Sequence, residues 1–317
     1  MMRGCEKATV HQMKPPDLRP VSRKIVVFGG TGFLGRRVVR QLFQHHFAVR
    51  VAVRNPERGN TIFSDQPSAP ELVHADISED ASIRNSVADS FGVVNAISLY
   101  VERGNQTFHS VHVEAAERLA KYSRELGAAR LVHVSGIGAD SASSSPYIRS
   151  RGEGENAVSS AFPASTIIRP AVMFGPDDTF LTPLIGLLRK FPVFPMFGAG
   201  QTMLQPASVE DVGEAIARTF DVAKPEAVYE LAGPRIYTYK DLLQTVSNRL
   251  GLRRGVVPVP FVIWQTLALF AEFLPQPPIT RNQVDLMRID NVASPACSGF
   301  AALGIEPHGM ETVLPTE

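Results

Sequence analysis

The stretch KIVVFGGTGFLGRRVVRQLF, residues 24–43, decides the fold class. Its first part, Lys24 to Phe28, is a short apolar run rich in β-branched residues, which is typical of a parallel strand buried on both faces. The glycine-rich segment GGTGFLG follows directly, and a helical pattern of apolar residues begins at Leu34. A strand, a glycine-rich turn and a helix in this order are typical of the first unit of a sheet that binds a dinucleotide.

Three glycines of the turn are expected to have different roles. Gly29 forms a tight turn, Gly32 lets the backbone approach a pyrophosphate, and Gly35 lets the helix pack closely on the strand. The start of the helix presents unpaired N–H groups and a partial positive charge to phosphate oxygens. The residues predicted to bind the cofactor here are Gly29, Thr31, Gly32, Phe33, Leu34 and Gly35. A turn with a purely structural role is the alternative.

Short apolar runs alternate with helical segments along the first half of the chain, which predicts a parallel sheet with crossover helices. The predicted strands are Lys24–Phe28, Val49–Val53, Glu71–His74, Val93–Ile97, Arg130–Val134, Thr166–Arg169 and Val228–Leu231. The predicted helices of this half are Leu34–Phe47, Ala81–Ala88, Thr107–Leu126 and Tyr147–Ala161. The fold class is therefore α/β, a Rossmann-type doubly wound parallel sheet.

After Pro170 the sequence changes to loops interrupted by prolines, with helices predicted at 209–220, 240–250 and 261–273. We expect three regions. Residues 1–22 form a flexible leader, 23–170 the dinucleotide-binding domain, and 171–317 a smaller, mostly helical lobe. Strands and helices are expected to cross between the two lobes.

The composition excludes several classes of protein. The 32 Lys and Arg nearly balance the 31 Asp and Glu, so the chain has no broad positive field that would attract a nucleic acid. Cys5 and Cys297 lie at opposite ends of the chain, and their spacing supports neither a disulfide framework nor a zinc site. A reducing compartment fits this cysteine usage best.

Two polar pairs are given structural interpretations. His109 and His112 are three residues apart in a predicted helix, but the sequence places no third ligand beside them, so we expect a solvent-facing or packing role rather than a metal site. Asp177 and Asp178 are expected to cap a helix rather than to act as an acid and base pair.

The residue after the second strand decides which dinucleotide fits. An acidic side chain there accepts hydrogen bonds from the ribose 2′-hydroxyl of NAD, whereas the 2′-phosphate of NADP requires a cation. This strand ends in RVAVRNPER, so Arg54 occupies the position and Arg58 follows one helical turn later. A guanidinium can hold a phosphate through two parallel hydrogen bonds. The sequence favours NADP(H), with NAD(H) as the alternative if both arginines only face solvent.

Asp76 follows the third strand, in the segment HADISED. Its carboxylate could accept a hydrogen bond from the adenine amino group of the cofactor. A helix-capping role for Asp76 or Ser78 is the alternative.

The order of the motifs resembles the short-chain dehydrogenase/reductase superfamily, in its extended or atypical branch. The motifs that carry this resemblance are TGFLG (31–35), VVNAI (93–97), RLVHVSGIGA (130–139), PYIRSRGEGENAV (146–158) and IIRPAVMFGP (167–176). Together with LQPASVEDVGEAIA (204–217), they look most like the dehydrogenase-like accessory subunit of respiratory complex I, NADH:ubiquinone oxidoreductase. The resemblance implies a protein that binds a nucleotide and holds it rather than turning it over.

The resemblance also assigns a catalytic constellation, and the sequence departs from it at one position. The superfamily uses a Tyr-x-x-x-Lys pair on one helix face, with a serine nearby; the lysine assists the tyrosine proton transfer and bonds the cofactor ribose. The matching residues here are Tyr147, Arg151 and Ser135, so an arginine replaces the lysine. Because a guanidinium is bulkier and disperses its charge, binding is expected to survive while proton transfer is in doubt. The alternative for Tyr147 is that it only packs against the cofactor or hydrogen-bonds to it. Pro170 matches the position that lies against the nicotinamide, with a role as a generic strand terminator as the alternative.

The apolar segment FVIWQTLALFAEFL, residues 261–274, is too short to cross a membrane. Fourteen helical residues extend roughly 21 Å, whereas the hydrocarbon core is about 30 Å thick. Packing in the core of the smaller lobe is one interpretation. Contact with a membrane surface or a membrane subunit is the other, supported by Trp264 and by the nearby Arg253 and Arg254.

These observations lead to one main hypothesis and two alternatives. The main one is an NADP(H)-binding accessory or assembly subunit of respiratory complex I, peripheral to the membrane, on the cytoplasmic face in a bacterium or the matrix side in a mitochondrion. The first alternative is a soluble, cytoplasmic NADP-dependent reductase, dehydrogenase or epimerase acting on a small carbonyl, sterol or sugar compound. The second is a binding protein that senses the NADP(H) ratio.

Overall fold

The computed structural model describes residues 23–64, 68–274 and 279–313, so the predicted leader at 1–22 lies outside it. The strands are β1 (Lys24–Phe28), β2 (Ala48–Val53), β3 (Glu71–His74), β4 (Gly92–Asn95), β5 (Arg130–Val134), β6 (Thr166–Pro170), β7 (Met173–Phe174), β8 (Val193–Phe197), β9 (Met203–Leu204), β10 (Ala207–Ser208), β11 (Val228–Leu231), β12 (Tyr237–Thr238) and β13 (Gly255–Val259). The α-helices are α1 (Phe33–Gln44), α2 (Pro56–Phe63), α3 (Asp80–Val87), α4 (Ala115–Glu125), α5 (Pro146–Ala161), α6 (Leu181–Lys190), α7 (Val209–Thr219), α8 (Tyr239–Arg249), α9 (Phe261–Ala271), α10 (Arg281–Leu286) and α11 (Met310–Val313). Across these described ranges, none of the helices combines the length and the hydropathy that crossing a bilayer requires.

Seven parallel strands form the main sheet in the order β11-β6-β5-β4-β1-β2-β3. The chain starts in the middle, builds outward through β2 and β3, and then returns to the other side of β1 with β4. The strand order therefore reverses between β1 and β4, where Val27 of β1 lies opposite Val94 of β4. In doubly wound folds, ligands bind at this reversal, beyond the carboxyl ends of the strands. The predicted fold class is confirmed.

Helices cover both faces of the sheet, which is why the central strands are apolar on both sides. In β1, Ile25, Val26 and Val27 have no exposed surface. Val27 packs in the core that includes residues of α1 and α7, while Val26 packs in the core that includes residues of α3, α4 and α5. Two apolar layers thus hold the sheet and fix the positions of its strand ends.

The predicted boundaries of helices and strands are correct to within a few residues, and the ends of α1 and β4 are two places where they differ. Helix α1 ends at Gln44 rather than at Phe47, because His46 adopts a left-handed conformation with φ of 60°. The N–H of Phe47 then bonds to the carbonyl of Leu42, which closes the helix end in the manner of a Schellman motif. Strand β4 also stops at Asn95, two residues before the predicted end at Ile97.

The predicted helix at 107–126 is not a regular α-helix throughout. Residues Ser110–Glu114 form a π-helical turn, and α4 follows from Ala115. The wide turn brings the carbonyl oxygen of His112 against α5 at Gly154, where a Cβ atom would lie 2.1 Å from that oxygen. A second glycine of α5, Gly152, is equally close to the backbone of residues 140–141. Both glycines in PYIRSRGEGENAV therefore allow close backbone packing.

The smaller lobe has its own core, built from α6, α8 and the paired strands β8 and β13. Leu188, Leu242, Leu243 and Val246 of this core have no exposed surface. Helix α6 and the parallel ribbon of β8 and β13 were not predicted. Because the prolines of these segments occupy strand edges and helix starts, the sequence resembles a loop there.

The expected crossings between lobes are extensive. Strand β11 is the edge of the main sheet, and α7 packs against α1. A later segment returns as well: the N–H of Ser294 donates to the Glu230 carboxylate, and Phe300 and Leu303 enter the main core. The division at residue 170 stays a prediction, and these elements cross between the two lobes as expected.

Two helical glycines, one in close contact with a neighbouring backbone and one with open space around it, give a matched test of packing. Gly154→Ala places a Cβ atom 2.1 Å from the His112 oxygen, and we expect it to lower the free energy of unfolding by about 1–3 kcal/mol. Gly186→Ala in α6 meets no atom within 4 Å, and we expect it to raise that free energy by about 0.5–1 kcal/mol. Urea unfolding of both variants measures the difference. Equal effects would mean that α5 does not pack as described.

Candidate nucleotide-binding site

Residues singled out from the sequence lie at the carboxyl ends of five strands of the main sheet, and one further residue lies at the end of a sixth. Because the strands are parallel, these ends share one edge. The residues that follow or end β1 to β6 there are Gly29, Arg54, Asp76, Ser98, Ser135 and Pro170. Of these, Ser98 was not predicted. The arrangement places the glycine turn next to the reversal point between β1 and β4.

The glycine turn is close-packed on three sides. Gly29 has φ of 80°, and a Cβ atom there would lie 2.6 Å from the carbonyl oxygen of Ala96. A Cβ atom on Gly35 would lie 2.1 Å from the Gly29 oxygen, so the first turn of α1 rests directly on the end of β1. Gly30, which the sequence analysis left out, has the same constraint against the Val51 side chain of β2, at 2.6 Å.

The N-terminus of α1 is open toward the strand edge. Gly32 is exposed and occupies the N-cap position, and the carbonyl of Gly32 accepts the first helical bond from Arg36. No side chain caps this end. The N–H groups of the first helical turn, which include those of Phe33 and Leu34, have no carbonyl partner within a helix. A negatively charged ligand group is the natural partner for such a helix end.

Arg54 and Arg58 are both exposed beside this turn. Arg54 follows β2, while Arg58 lies in α2, whose N-cap Asn55 accepts a hydrogen bond from the Arg58 backbone N–H at 3.0 Å. The Arg54 charge reaches Asp76, where it contributes to holding the pKa of that carboxyl below its usual value. The larger cause of this lowered pKa is hydrogen bonding from the Ser78 hydroxyl and backbone N–H.

Asp76 does not cap the following helix. Its carboxylate accepts from the Ser78 hydroxyl at 2.6 Å and the Ser78 N–H at 2.8 Å, which forms a local turn. Helix α3 begins four residues later, with Glu79 at the N-cap. The capping alternative for Asp76 and Ser78 is therefore wrong. The contact with adenine stays a prediction.

Tyr147 and Arg151 are brought together on α5. The Arg151 Nη2 donates to the Tyr147 hydroxyl at 3.1 Å, and the guanidinium carbon lies 5.3 Å from the centre of the Tyr147 ring. Arg151 is 5% exposed. Its other donors go to the Val134 carbonyl, at 3.2 Å, and to the Ser98 hydroxyl. The arginine therefore fits the lysine position, but three protein atoms occupy its two terminal nitrogens.

Aromatic rings surround Tyr147. Tyr100 stacks on it with the ring centres 5.7 Å apart, and Phe108 and His112 both meet it edge-on at 5.5 Å. Tyr100 and Phe108 also line a cleft of about 840 Å³, and residues of α9 and α10 line it as well. Such a cleft beside the tyrosine is large enough for a small molecule.

Two buried histidines stand behind the site, and both are neutral. His112 accepts a hydrogen bond at Nε2 from the Leu99 N–H at 3.0 Å, and its Nδ1 lies 3.0 Å from the Ser150 hydroxyl. Burial, aided by the Arg151 charge, lowers the pKa of His112 to about 2. The same two causes, burial first, lower the pKa of His133 to about 3. The His133 Nδ1 pairs with the Asn95 amide at 3.1 Å.

Ser135 and Pro170 lie at neighbouring strand ends. The Ser135 N–H donates to the Ile168 carbonyl at 2.7 Å, and the Pro170 carbonyl accepts from the Ile137 N–H at 3.1 Å. Asn291 ties this region to the returning segment, because its amide oxygen accepts from the Val172 N–H at 2.6 Å. Within the described part of the chain, no hydrogen bond joins Ser135 to Tyr147. The structure therefore pairs Tyr147 with Arg151 directly and places Ser135 beside them through the strand order alone.

The remaining polar pairs behave as structural groups. Asp178 accepts hydrogen bonds from the N–H groups of Phe180 and Thr182, which confirms that it caps the start of α6. His109 is exposed and points to carboxylates, whereas His112 is buried, so the two do not form a pair. Among the residues described, no group of histidine, cysteine and acidic side chains has the geometry to hold a metal ion.

The residues present fit a dinucleotide. The packed glycines hold the turn in place, while Gly32 at the start of α1 is exposed and the helix end there has no side-chain cap. Two buried polar atoms of the site, the Ser135 hydroxyl oxygen and the Arg151 Nε, have no hydrogen-bond partner within the described chain. Buried polar atoms are normally paired, so these two indicate where ligand groups bind.

Sequence reasoning missed Gly30, Ser98, His112 and His133 as residues of this site. The GG doublet was a signal for Gly30, since Gly30 lies within the glycine-rich segment itself. Nothing local marks Ser98 or the histidines, because their roles come from contacts with Arg151 and Leu99, across segments distant in the chain.

Comparison with known proteins agrees with this geometry. A family model described as NAD(P)H-binding matches residues 29–180. The chain is 32% identical to the Arabidopsis thaliana protein NADH dehydrogenase (ubiquinone) 1 alpha subcomplex subunit 9, mitochondrial, over 90% of this chain and 74% of that protein. It is 32% identical to the mitochondrial NADH-ubiquinone oxidoreductase 40 kDa subunit of Neurospora crassa, over 89% and 75% of the two chains.

Solved structures share the fold. An NADPH-dependent quinone oxidoreductase from Escherichia coli, in complex with NADPH, superposes with a TM-score of 0.73 at 18% identity, covering 92% of this chain and 98% of the other. At this identity the likeness supports the architecture of the sheet and its flanking helices.

The two buried histidines predict how stability depends on pH. In the unfolded chain each takes up a proton near pH 6.5, whereas the folded pKa values are about 2 and about 3. The unfolded state thus binds more protons below pH 6.5, so the free energy of unfolding should fall by about 1.4 kcal/mol per pH unit for each histidine between pH 6 and 5. His133→Asn should remove about half of this slope, and His109→Asn, an exposed control, should leave it unchanged. Denaturant titrations at several pH values measure the slope; a flat profile would contradict the neutral assignment.

Proposed function

Because the chain belongs to the family of the NADH dehydrogenase (ubiquinone) 1 alpha subcomplex subunit 9 proteins, we propose that it is a nucleotide-binding accessory or assembly subunit of respiratory complex I. It binds a nicotinamide dinucleotide at the carboxyl edge of the main sheet and holds it as a largely structural ligand. The protein lies at the membrane periphery, on the cytoplasmic face in a bacterium or the matrix side in a mitochondrion.

The observation that carries the holding role is the state of Arg151. In an active reductase of this superfamily, a flexible lysine would serve both the tyrosine and the cofactor ribose. Here the buried guanidinium is held by Val134, Ser98 and Tyr147. Of the three guanidinium nitrogens of Arg151, only Nε has no hydrogen-bond partner among the described residues. A cation fixed in this way stabilises a bound ribose but is poorly suited to move as a proton passes.

The residues assigned to the cofactor form groups, and each group would hold a different part of the dinucleotide. The first turn of α1, from Gly29 to Gly35, holds the diphosphate. Pro170 and Ser135 lie at the strand ends where the nicotinamide would be expected, and Arg151 offers its Nε to the ribose. When bound, the nicotinamide supplies hydride chemistry. Asp76 would face the adenine end.

We propose NADP(H) as the preferred ligand, with NAD(H) as the alternative. Arg54 and Arg58 are exposed next to the turn, and the end of β2 has no carboxylate for a ribose 2′-hydroxyl. The charge of Arg54, which follows β2, contributes to the lowered pKa of Asp76, which follows the neighbouring strand β3. A 2′-phosphate between these arginines would therefore be bound by charge-assisted hydrogen bonds.

A second function is supported by one observation. The buried Ser135 hydroxyl has no hydrogen-bond partner among the described residues. In reductases of this superfamily, the serine hydroxyl at this position orients the substrate carbonyl. In this alternative the protein is an NADP-dependent reductase, dehydrogenase or epimerase acting on a small carbonyl, sterol or sugar compound. Tyr147 would act as the general acid, and Arg151 would take the role of the lysine.

Nucleotide preference is tested with purified protein. Arg54→Ala should weaken binding of NADPH by about tenfold to a hundredfold, since a hydrogen bond between charged groups contributes about 1.5–3 kcal/mol. Binding of NADH should change less than twofold. Arg124→Ala removes an exposed guanidinium elsewhere and serves as the matched control. Fluorescence titration of the reduced nucleotides gives the affinities; equal affinities in the unaltered protein would refute the preference for NADP(H).

The accessory role is tested in the native membrane. Solubilised complex I should contain this chain together with a bound dinucleotide, and disruption of the gene should reduce the amount of assembled complex. A gene copy encoding the unaltered chain should restore assembly, whereas a Gly35→Val copy should not, because the side chain would collide with the Gly29 carbonyl. If complex I lacks this chain and assembles without it, the accessory role is wrong. Oxidation of the bound reduced nucleotide by a carbonyl compound would favour the reductase alternative.

A further inference from the structure

Helix α9 presents most of its surface to the outside. Only Ala268 of the helix is buried, which overturns the interpretation that this segment packs in a core. Val262 is 74% exposed and Phe270 is 67% exposed, and Phe273, just beyond the helix, is 81% exposed. Bulky apolar side chains with this degree of exposure, lying side by side, are uncommon on proteins surrounded only by water.

Helix α9 is apolar around almost its whole circumference, including the side that faces outward. The outward side consists of Val262, Ile263, Thr266, Leu267, Leu269 and Phe270, continued by Phe273 and Leu274. Its single polar group, the Thr266 hydroxyl, donates to the Val262 carbonyl at 2.9 Å. The polar residues Gln265 and Glu272 instead face the protein, where Gln265 bonds to Asp285 and Glu272 bonds to Arg281. Both partners lie in α10. A water-facing helix shows the opposite distribution.

The ribbon of β8 and β13 continues this apolar face. Val193 and Pro195 of β8 are exposed on one side of the ribbon, and Val257 of β13, paired with Pro195, is exposed on the same side. Phe197 ends this row two residues beyond Pro195, and its ring centre lies 4.4 Å from that of Trp264 in α9. We call the outward side of α9 together with this side of the ribbon the α9 face.

A group of basic residues adjoins the α9 face at the start of the ribbon, in addition to Asp285 and the Arg281–Glu272 ion pair beside α9. Residues 189–190 and 253–254 supply these four basic residues, although the whole chain carries a net charge of only +1. Arg189, Lys190 and Arg253 are exposed. Arg254 donates to the Leu188 carbonyl at 2.7 Å, so the basic residues meet at the start of the ribbon. They form a cationic rim, one strand length from α9.

We propose that the α9 face docks on the surface of an anionic lipid bilayer. The apolar side chains enter the boundary between headgroups and acyl chains, and the cationic rim binds lipid phosphates. A protein partner would need to supply an apolar surface and an acidic rim together, whereas a bilayer containing anionic lipids has both. This inference deepens the proposed function by giving the peripheral subunit its membrane-facing side, and it rests on that function only for the identity of the membrane.

Vesicle flotation of the full-length protein tests the α9 face. The protein should float with vesicles of phosphatidylcholine and 30 mol% phosphatidylglycerol, about tenfold more than with phosphatidylcholine alone, because each basic residue near such a surface contributes to binding. The Phe270→Ser, Phe273→Ser double variant should lose flotation. Replacement of Arg189, Lys190 and Arg253 by Gln should abolish the preference for phosphatidylglycerol. Ile236→Ser, at a residue 49% exposed outside the α9 face, is the matched control and should float as the unaltered protein does.

Nucleotide binding and the circular dichroism spectrum are measured on the same samples, since the altered residues are exposed and outside the nucleotide site. An unaltered protein that binds nucleotide but does not float overturns the proposal, and so does equal flotation of the Phe270 and Phe273 variant. If that variant instead detaches from complex I while no form of the protein floats, the α9 face contacts another protein and the lipid assignment is wrong. Flotation without co-purification with complex I would retain the lipid site and remove only the accessory role.

Discussion

The contact between the carbonyl oxygen of Gly29 and the backbone of Gly35 determines the geometry of the site. Because neither residue has a side chain, α1 begins directly above the end of β1, with its free N–H groups facing the strand edge. The same turn lies against Ala96, which follows β4, so it bridges the reversal in strand order. Residues on the neighbouring strand ends, such as Arg54 and Ser135, are arranged relative to this turn.

Patterns within a few residues could be predicted, and features that depend on distant contacts could not. The seven strands of the main sheet and helix α5 follow from apolar runs and periodicity. The π-helical turn before α4 lies against Gly154 of α5, about forty residues later, and the pairing of β8 with β13 joins segments about sixty residues apart. In the site, the glycine turn and the Tyr147 and Arg151 pair were visible in the sequence. The neutral histidines were not, because their protonation depends on burial.

The exchange of lysine for arginine on α5 changes more than one charge. An ammonium group can rotate and share its protons among several acceptors, whereas the planar guanidinium has fixed donor directions. Here those directions match the Val134 carbonyl and the hydroxyls of Ser98 and Tyr147. His112 supports the same region from behind, through Ser150, whose hydroxyl bonds to the Tyr147 carbonyl. The result is a rigid polar cluster near the carboxyl edge of the main sheet.

The return of the late segment to the main core has a consequence for biosynthesis. Phe300 and Leu303 cover apolar surface that includes Phe220 and Leu231, and these two lie on elements adjoining the N-terminal half. A chain still attached to the ribosome therefore leaves this surface open until Phe300 and Leu303 have been made. Domains commonly fold as units during synthesis, so the main core is complete only after both the sheet and this later segment have emerged.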